Sequence, residues 1–182
     1  MNSAFDILGL DVRLALTEEK LIAAFRAASK LAHPDVGGCE GDFAKLREAY
    51  ELLASPSRRL KHWLEWKGAP SELRGTVSTS LMDLFSNISE VTQRAEALIR
   101  KRNEAKSSLV IAMLERETQS CREEVESCIR LLRETIHQEC STFPSLDHAD
   151  QIDAEAVSLT ARNLAFLEKW QAGLRGVFSR LA

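Results

Sequence analysis

Ser29-Lys30-Leu31-Ala32-His33-Pro34-Asp35-Val36-Gly37-Gly38 is the stretch on which the fold turns. An amphipathic helical pattern runs into it and another runs out of it. Proline disfavours helical geometry in the residue before it, and glycine admits left-handed turns, so Pro34 and the Gly37-Gly38 pair force a loop. The spacing therefore predicts a helical hairpin with His33, Pro34 and Asp35 at its tip. A lone triplet of these residue types is ordinarily only a turn. Its weight comes from what flanks it.

On the N-terminal side, 5–10 (Phe-Asp-Ile-Leu-Gly-Leu) reads as a short helical turn presenting Phe5 and Leu8, ended by Gly9. Thr17 is placed to cap the next helix, with Glu18 and Glu19 in the first turn where the helix dipole favours acids. Leu21, Phe25, Ala28 and Ala32 give that helix one apolar face. On the far side of the loop, Phe43, Leu46, Tyr50 and Leu53 form a matching stripe able to pack antiparallel on the first. Ser55-Pro56 is an N-cap followed by proline at the first helical position. The helix it opens runs through Leu60, Trp63 and Leu64 and stops near Gly68.

Residues 69–78 read as a linker, broken by Pro70 and Gly75. Three long apolar stripes follow. They are Leu81, Leu84, Phe85, Ile88, Val91, Ala95 and Leu98; then Val110, Leu114, Cys121, Val125, Cys128, Leu132 and Ile136; then Leu159, Leu167, Trp170, Leu174, Val177 and Leu181. Pro144 breaks the chain at 141–145, since proline does not sit in a helix interior. The expected fold is all-α: a helical hairpin domain over 1–68, a linker over 69–78, and an antiparallel three-helix bundle over 79–182.

Composition narrows the function. The net charge is −3, and residues 1–70 carry 10 basic against 10 acidic side chains, leaving 14 against 17 for 71–182, so nucleic acid is not expected as a partner. The longest apolar run, 109–114, is far too short to cross a bilayer. Patterned structure begins at Phe5, leaving no room for a cleavable leader, so the expectation is a cytoplasmic protein without membrane partners. The cysteines at 39, 121, 128 and 140 form no Cys-x-x-Cys pair, and no histidine completes a zinc spacing, so neither metal nor cofactor is expected. Cys121 and Cys128, seven apart, share a helix face and read as small buried apolar residues. Phosphate-cradling glycine loops, nucleophile elbows and paired-histidine helices are all missing from the sequence, and no enzyme activity is expected.

The order Phe5, Leu8-Gly9, Phe25, His33-Pro34-Asp35, Phe43, Glu48-Ala49-Tyr50 and Leu53 resembles a J-domain of the DnaJ family across residues 4–66. The segment from Gly9 to His33 is two residues longer than in an ordinary J-domain. In this, and in its ending at 56–68, the chain resembles the HscB (iron–sulfur co-chaperone) type, in which a J-domain precedes a helical bundle.

The resemblance implies that the loop docks on a DnaK-type chaperone ATPase and favours its hydrolysing state. Asp35 would pair with an arginine of the partner, Pro34 would hold the loop's shape, and His33 would anchor it or hydrogen-bond the partner. Arg26 and Lys30 would belong to the basic docking helix, where Ile22, Ala23, Ala27 and Leu31 stand at positions that are often basic in the family. The resemblance further implies that Leu81, Met82, Phe85 and Phe166 bind an iron–sulfur scaffold protein. Met82 and Phe166 fall off the main stripes and are the ones expected to face outward. Ser86, Ser89 and Gln93 occupy sites that are acidic in the family. Two other readings stay open: a structural adaptor with a non-activating J-domain, and a J-protein with an unrelated client.

Overall fold

The computed structural model describes residues 3–32, 40–69 and 75–182. Every regular element among them is helical: α1 (Ala4–Ile7), α2 (Glu18–Leu31), α3 (Glu40–Ala54), α4 (Pro56–Trp66), α5 (Thr79–Glu104), α6 (Ser108–Cys140), α7 (Phe143–Asp147) and α8 (Ala154–Arg180). The chain divides into two compact units, one of 1–75 with 140–165, the other of 76–139 with 166–182.

In the first unit local chemistry sets each helix end. Ser3 and Asp6 form a capping box around α1, the Ser3 hydroxyl accepting from the Phe5 amide and the Asp6 carboxylate from the Ser3 amide. Gly9, at φ +64°, makes the turn that follows, a conformation only glycine adopts without strain. The Thr17 side chain accepts from the Lys20 amide at 3.3 Å, and Ser55 from the Arg58 amide at 3.3 Å, with Pro56 in the first turn of α4.

Phe5, Leu8, Leu21, Leu46 and Leu53 form one buried cluster joining α1, α2 and α3. The Phe25 ring lies 4.7 Å from that of Tyr50 and 6.4 Å from that of Phe43, so aromatic contacts join α2 to α3. On α4, His62 accepts from the Ala4 amide at 3.1 Å through Nε2, which leaves its proton on Nδ1, and stacks on Phe5 at 5.8 Å.

Residues 140–165 differ from the sequence expectation, which assigned everything beyond 79 to one bundle. They belong to the first unit. Asp147, the last residue of α7, accepts from the backbone amides of Leu14 at 2.7 Å and Ala15 at 3.0 Å. Those amides lie between α1 and α2, where no helical partner is available to them, and the carboxylate supplies one. Phe143 is buried, with the Arg59 guanidinium 5.6 Å over its ring. Pro144 sits in the first turn of α7, where its missing N–H costs nothing, so the expected break contains a helical turn of its own. Val157, Ala161 and Leu164 on the first turns of α8 are buried.

The second unit holds α5, most of α6, and α8 from Phe166 onward. Residues 105–107, between α5 and α6, are too few for anything but an antiparallel hairpin. Ile88, Val91, Ala95 and Leu98 of α5, Cys121, Val125 and Leu132 of α6, and Leu167, Leu174 and Val177 of α8 make one buried core, at the helical spacing of the expected stripes. Leu159, expected on the third stripe of this bundle, lies instead in the first unit. Burial pushes the Cys121 and Cys128 thiols up from their ordinary range, and the nearby Glu124 carboxylate adds to it. Ion pairs Arg94–Glu124 and Arg180–Glu96 lie on the unit's surface.

Candidate functional site

Two faces carry the residues singled out from the sequence. The first is on α2. Packing of Phe25 and Leu21 inward fixes which side of this helix faces solvent. Arg26 and Lys30, four apart, are both exposed. Ala23, Ala27 and Leu31 share that exposure, and Leu31 is 81% exposed at the end of the helix. Ile22 is half-buried, so it stands at the edge of this face. Lys20 is a third exposed cation of this helix, six residues before Arg26 and so about 120° around the helix from it. No helical spacing ties it to Arg26 and Lys30, and the resemblance that marked those two does not reach it. His33, Pro34 and Asp35 lie outside the described residues.

The second face is in the bundle unit, on α5 and α8. Met82 and Phe166 are 53% and 41% exposed, and Phe85 is 42% exposed. Leu81 is the exception. It is 2% exposed within the core, one residue out of phase with Met82 on a 3.6-residue period, and has no surface to offer a partner. Phe85, both a member of the core stripe and a client-site candidate in the sequence, turns its ring outward against Trp170 of α8, at 5.2 Å between centroids. Phe166 meets the same Trp170 at 5.9 Å. Trp170 thus joins the two helices at this face, a role hidden by its place on the apolar stripe. Exposed methionine and aromatic side chains clustered on one face are typical of protein-docking surfaces.

Among the described residues no group of three or more histidine, cysteine or acidic side chains is arranged to hold a metal, and no helix is long and apolar enough to cross a membrane.

No family model matches the chain. A tetratricopeptide repeat and J domain-containing co-chaperone, DNJ1 of Cryptococcus neoformans, is 51% identical over 45 residues, which are 25% of this chain and 9% of that protein. A co-chaperone protein HscB homolog of Burkholderia mallei is 36% identical over 76 residues, 37% of this chain and 43% of that protein. The chain thus spans less than half the length of these two relatives. An HscB homolog of Cupriavidus taiwanensis matches nearly end to end, 25% identical over 97% of this chain and 94% of its own. Chaperone HscB from Vibrio cholerae superposes with a TM-score of 0.60 over the whole of both chains, at 18% identity.

The order of helices α1 to α4, with their aromatic packing, is the one expected from the J-domain resemblance, and the local match to DNJ1 agrees with it. The chain is HscB-like in sequence along nearly its whole length and in its all-α fold.

Proposed function

We propose that this chain is a co-chaperone that brings a client to a DnaK-type ATPase and accelerates its ATP hydrolysis. The observation that carries the reading is the exposed pair Arg26 and Lys30, with Lys20 a further exposed cation, on a helix whose sequence continues into an intact His33-Pro34-Asp35. End-to-end likeness to an HscB homolog supports it. The three cations attract an acidic surface from a distance, which raises the rate of encounter. The triplet then acts at contact: Asp35 receives a partner arginine in a partly desolvated setting, where the pair is worth more than a surface salt bridge. Acceleration of hydrolysis requires that the loop bind the hydrolysing state of the ATPase more tightly than its other state. The chain itself transforms no substrate and works in the cytoplasm.

The face formed by Met82, Phe85 and Phe166 is the client site in this reading, and an iron–sulfur scaffold protein is the client, its cluster being cargo. A second reading, a non-activating adaptor, draws on the apolar residues Ala23, Ala27 and Leu31 interleaved with the cations, since they thin the positive field.

Single-turnover ATP hydrolysis by a DnaK-type chaperone of the same cell separates the two. Acceleration by the wild-type chain that is lost in His33→Gln is the expected result. A rate unchanged by the wild-type chain, with every such chaperone of the host, leaves the adaptor.

A further inference from the structure

Beside the exposed Met82–Phe166 patch, a groove of about 490 Å³ continues between α5 and α8 toward their Glu96 and Arg180 ends. Ile88, Trp170 and Leu174 give it an apolar lining. From Phe85 to Glu96 the groove follows α5 for about 16 Å, which is three turns of helix.

Gly173 lines this groove, well inside α8, and is exposed. Glycine weakens a helix interior relative to alanine. Yet a Cβ at Gly173 would meet nothing within 4 Å, so packing inside the chain does not require a glycine. A glycine facing an open apolar groove permits what a side chain prevents, the close approach of another backbone. The charges lining the groove are unequal. Glu96 is neutralised by Arg180, which donates to it from Nη1 at 3.0 Å, whereas Lys169 has no ion-pair partner among the described residues. The groove is therefore net positive at its Lys169 end.

We infer that the client docks an amphipathic helix into the α5–α8 groove, its backbone closest at Gly173 and an acidic residue on Lys169. This extends the client site proposed above, on which it rests, by about two helical turns. A helix is the occupant because α5 and α8 present no unpaired backbone groups in mid-helix. An extended strand lying there would leave its own amides unmatched, and a helix satisfies its own. A carboxylate at Lys169 fits a face where Ser86, Ser89 and Gln93 supply no negative charge.

Titration calorimetry of the full chain against the iron–sulfur scaffold protein of the same organism tests this. Gly173→Ala and Lys169→Glu are each expected to weaken binding about tenfold. Gly176→Ala, one turn on, exposed and outside the groove, is expected to leave it within about twofold. Both glycine replacements should raise the melting temperature, which separates lost docking from lost folding. Weakening by Met82→Ala with none by Gly173→Ala overturns the groove while leaving the client face intact. Failure of the scaffold to bind the wild-type chain overturns both. A dimer in sedimentation that Gly173→Ala dissociates gives the groove to a second copy and overturns the inference as well.

Discussion

Replacing Asp147 by alanine removes the acceptor for two backbone amides at once, Leu14 at 2.7 Å and Ala15 at 3.0 Å. Hydrogen bonds to a charged group contribute about 1.5–3 kcal/mol each, but water replaces the acceptor at the exposed Ala15 amide. The part-buried Leu14 amide, belonging to a fully buried side chain, is less accessible to water and bears most of the loss. The sum is about 2–3 kcal/mol for Asp147→Ala. Asp147→Asn keeps one carbonyl acceptor and turns an amide donor toward the other N–H, so its loss should lie between the two.

Trp63, buried in the first unit, reports the transition. In a Trp66→Phe, Trp170→Phe background its fluorescence is followed through a urea titration. With a slope of about 1–3 kcal/mol per molar urea, the midpoint should fall by about 1–2 M in the alanine variant. Amide exchange at Leu14 should accelerate in parallel, because its hydrogen bond to Asp147 is lost. A midpoint within about 0.3 M of wild type, with Leu14 exchange unaltered, would refute the claim that this carboxylate holds 140–165 to the N-terminal helices.

Phe143→Ala, followed by the same Trp63 signal, should cost about 3–5 kcal/mol, as expected for emptying a buried aromatic site. A loss under about 1 kcal/mol would place that ring outside the core. Glu96 is held below the ordinary carboxylate range by the hydrogen bonds from Arg180, against the opposing effect of burial. Its stabilisation is therefore present above the unfolded-state pKa and lost as pH falls through the depressed folded value. Melting temperatures of wild type and Glu96→Gln should accordingly converge on acidification and in high salt, and a gap that persists in acid would contradict this. The Cys121 and Cys128 thiols, raised by burial and by Glu124, should react slowly with Ellman's reagent until urea unfolds the chain. Their neutral forms stabilise the fold below the unfolded thiol pKa, and that stability is lost as pH rises through the folded value. The alkaline decline in melting temperature should flatten in Cys121→Ala combined with Cys128→Ala.

Much of the first unit is written in local signals. Thr17 and Ser55-Pro56 mark helix starts by chemistry that acts within three residues, and both cap as the sequence implies. The stripes through Phe25 and Tyr50, and through Val91 and Val125, follow from a 3.6-residue period, and the cores form on them. What escaped the sequence reading depends on distant partners. Nothing near Asp147 or Leu14 announces that one accepts from the other's amide, because they are 133 residues apart. Phe143 beside Pro144 has the appearance of a loop residue and becomes core only because Arg59 and its neighbours close over it. At the α5–α8 face, periodicity sets Leu81 and Phe85 on one stripe. A stripe on a helix is broad, and the ring of Trp170 draws Phe85 to its outer edge while Leu81 stays within.

The discontinuous make-up of the first unit governs the order in which the chain can be assembled. A ribosome releases 1–75 first, yet the residues that complete this unit, 140–165, emerge only after the whole α5–α6 hairpin has been synthesised. Until then the amides of Leu14 and Ala15 have only water to bond, and the apolar surface destined for Phe143 stays open. A helical hairpin such as α2–α3 closes on local contacts and can form early, whereas the Leu14–Asp147 tie closes a loop of more than a hundred residues and must come late. Growth from the N-terminus therefore produces α2, with its exposed cations, before the unit around it is finished. A fragment cut at the 69–78 segment would be arrested at that same stage, with α2 and α3 formed and their support from 140–165 missing.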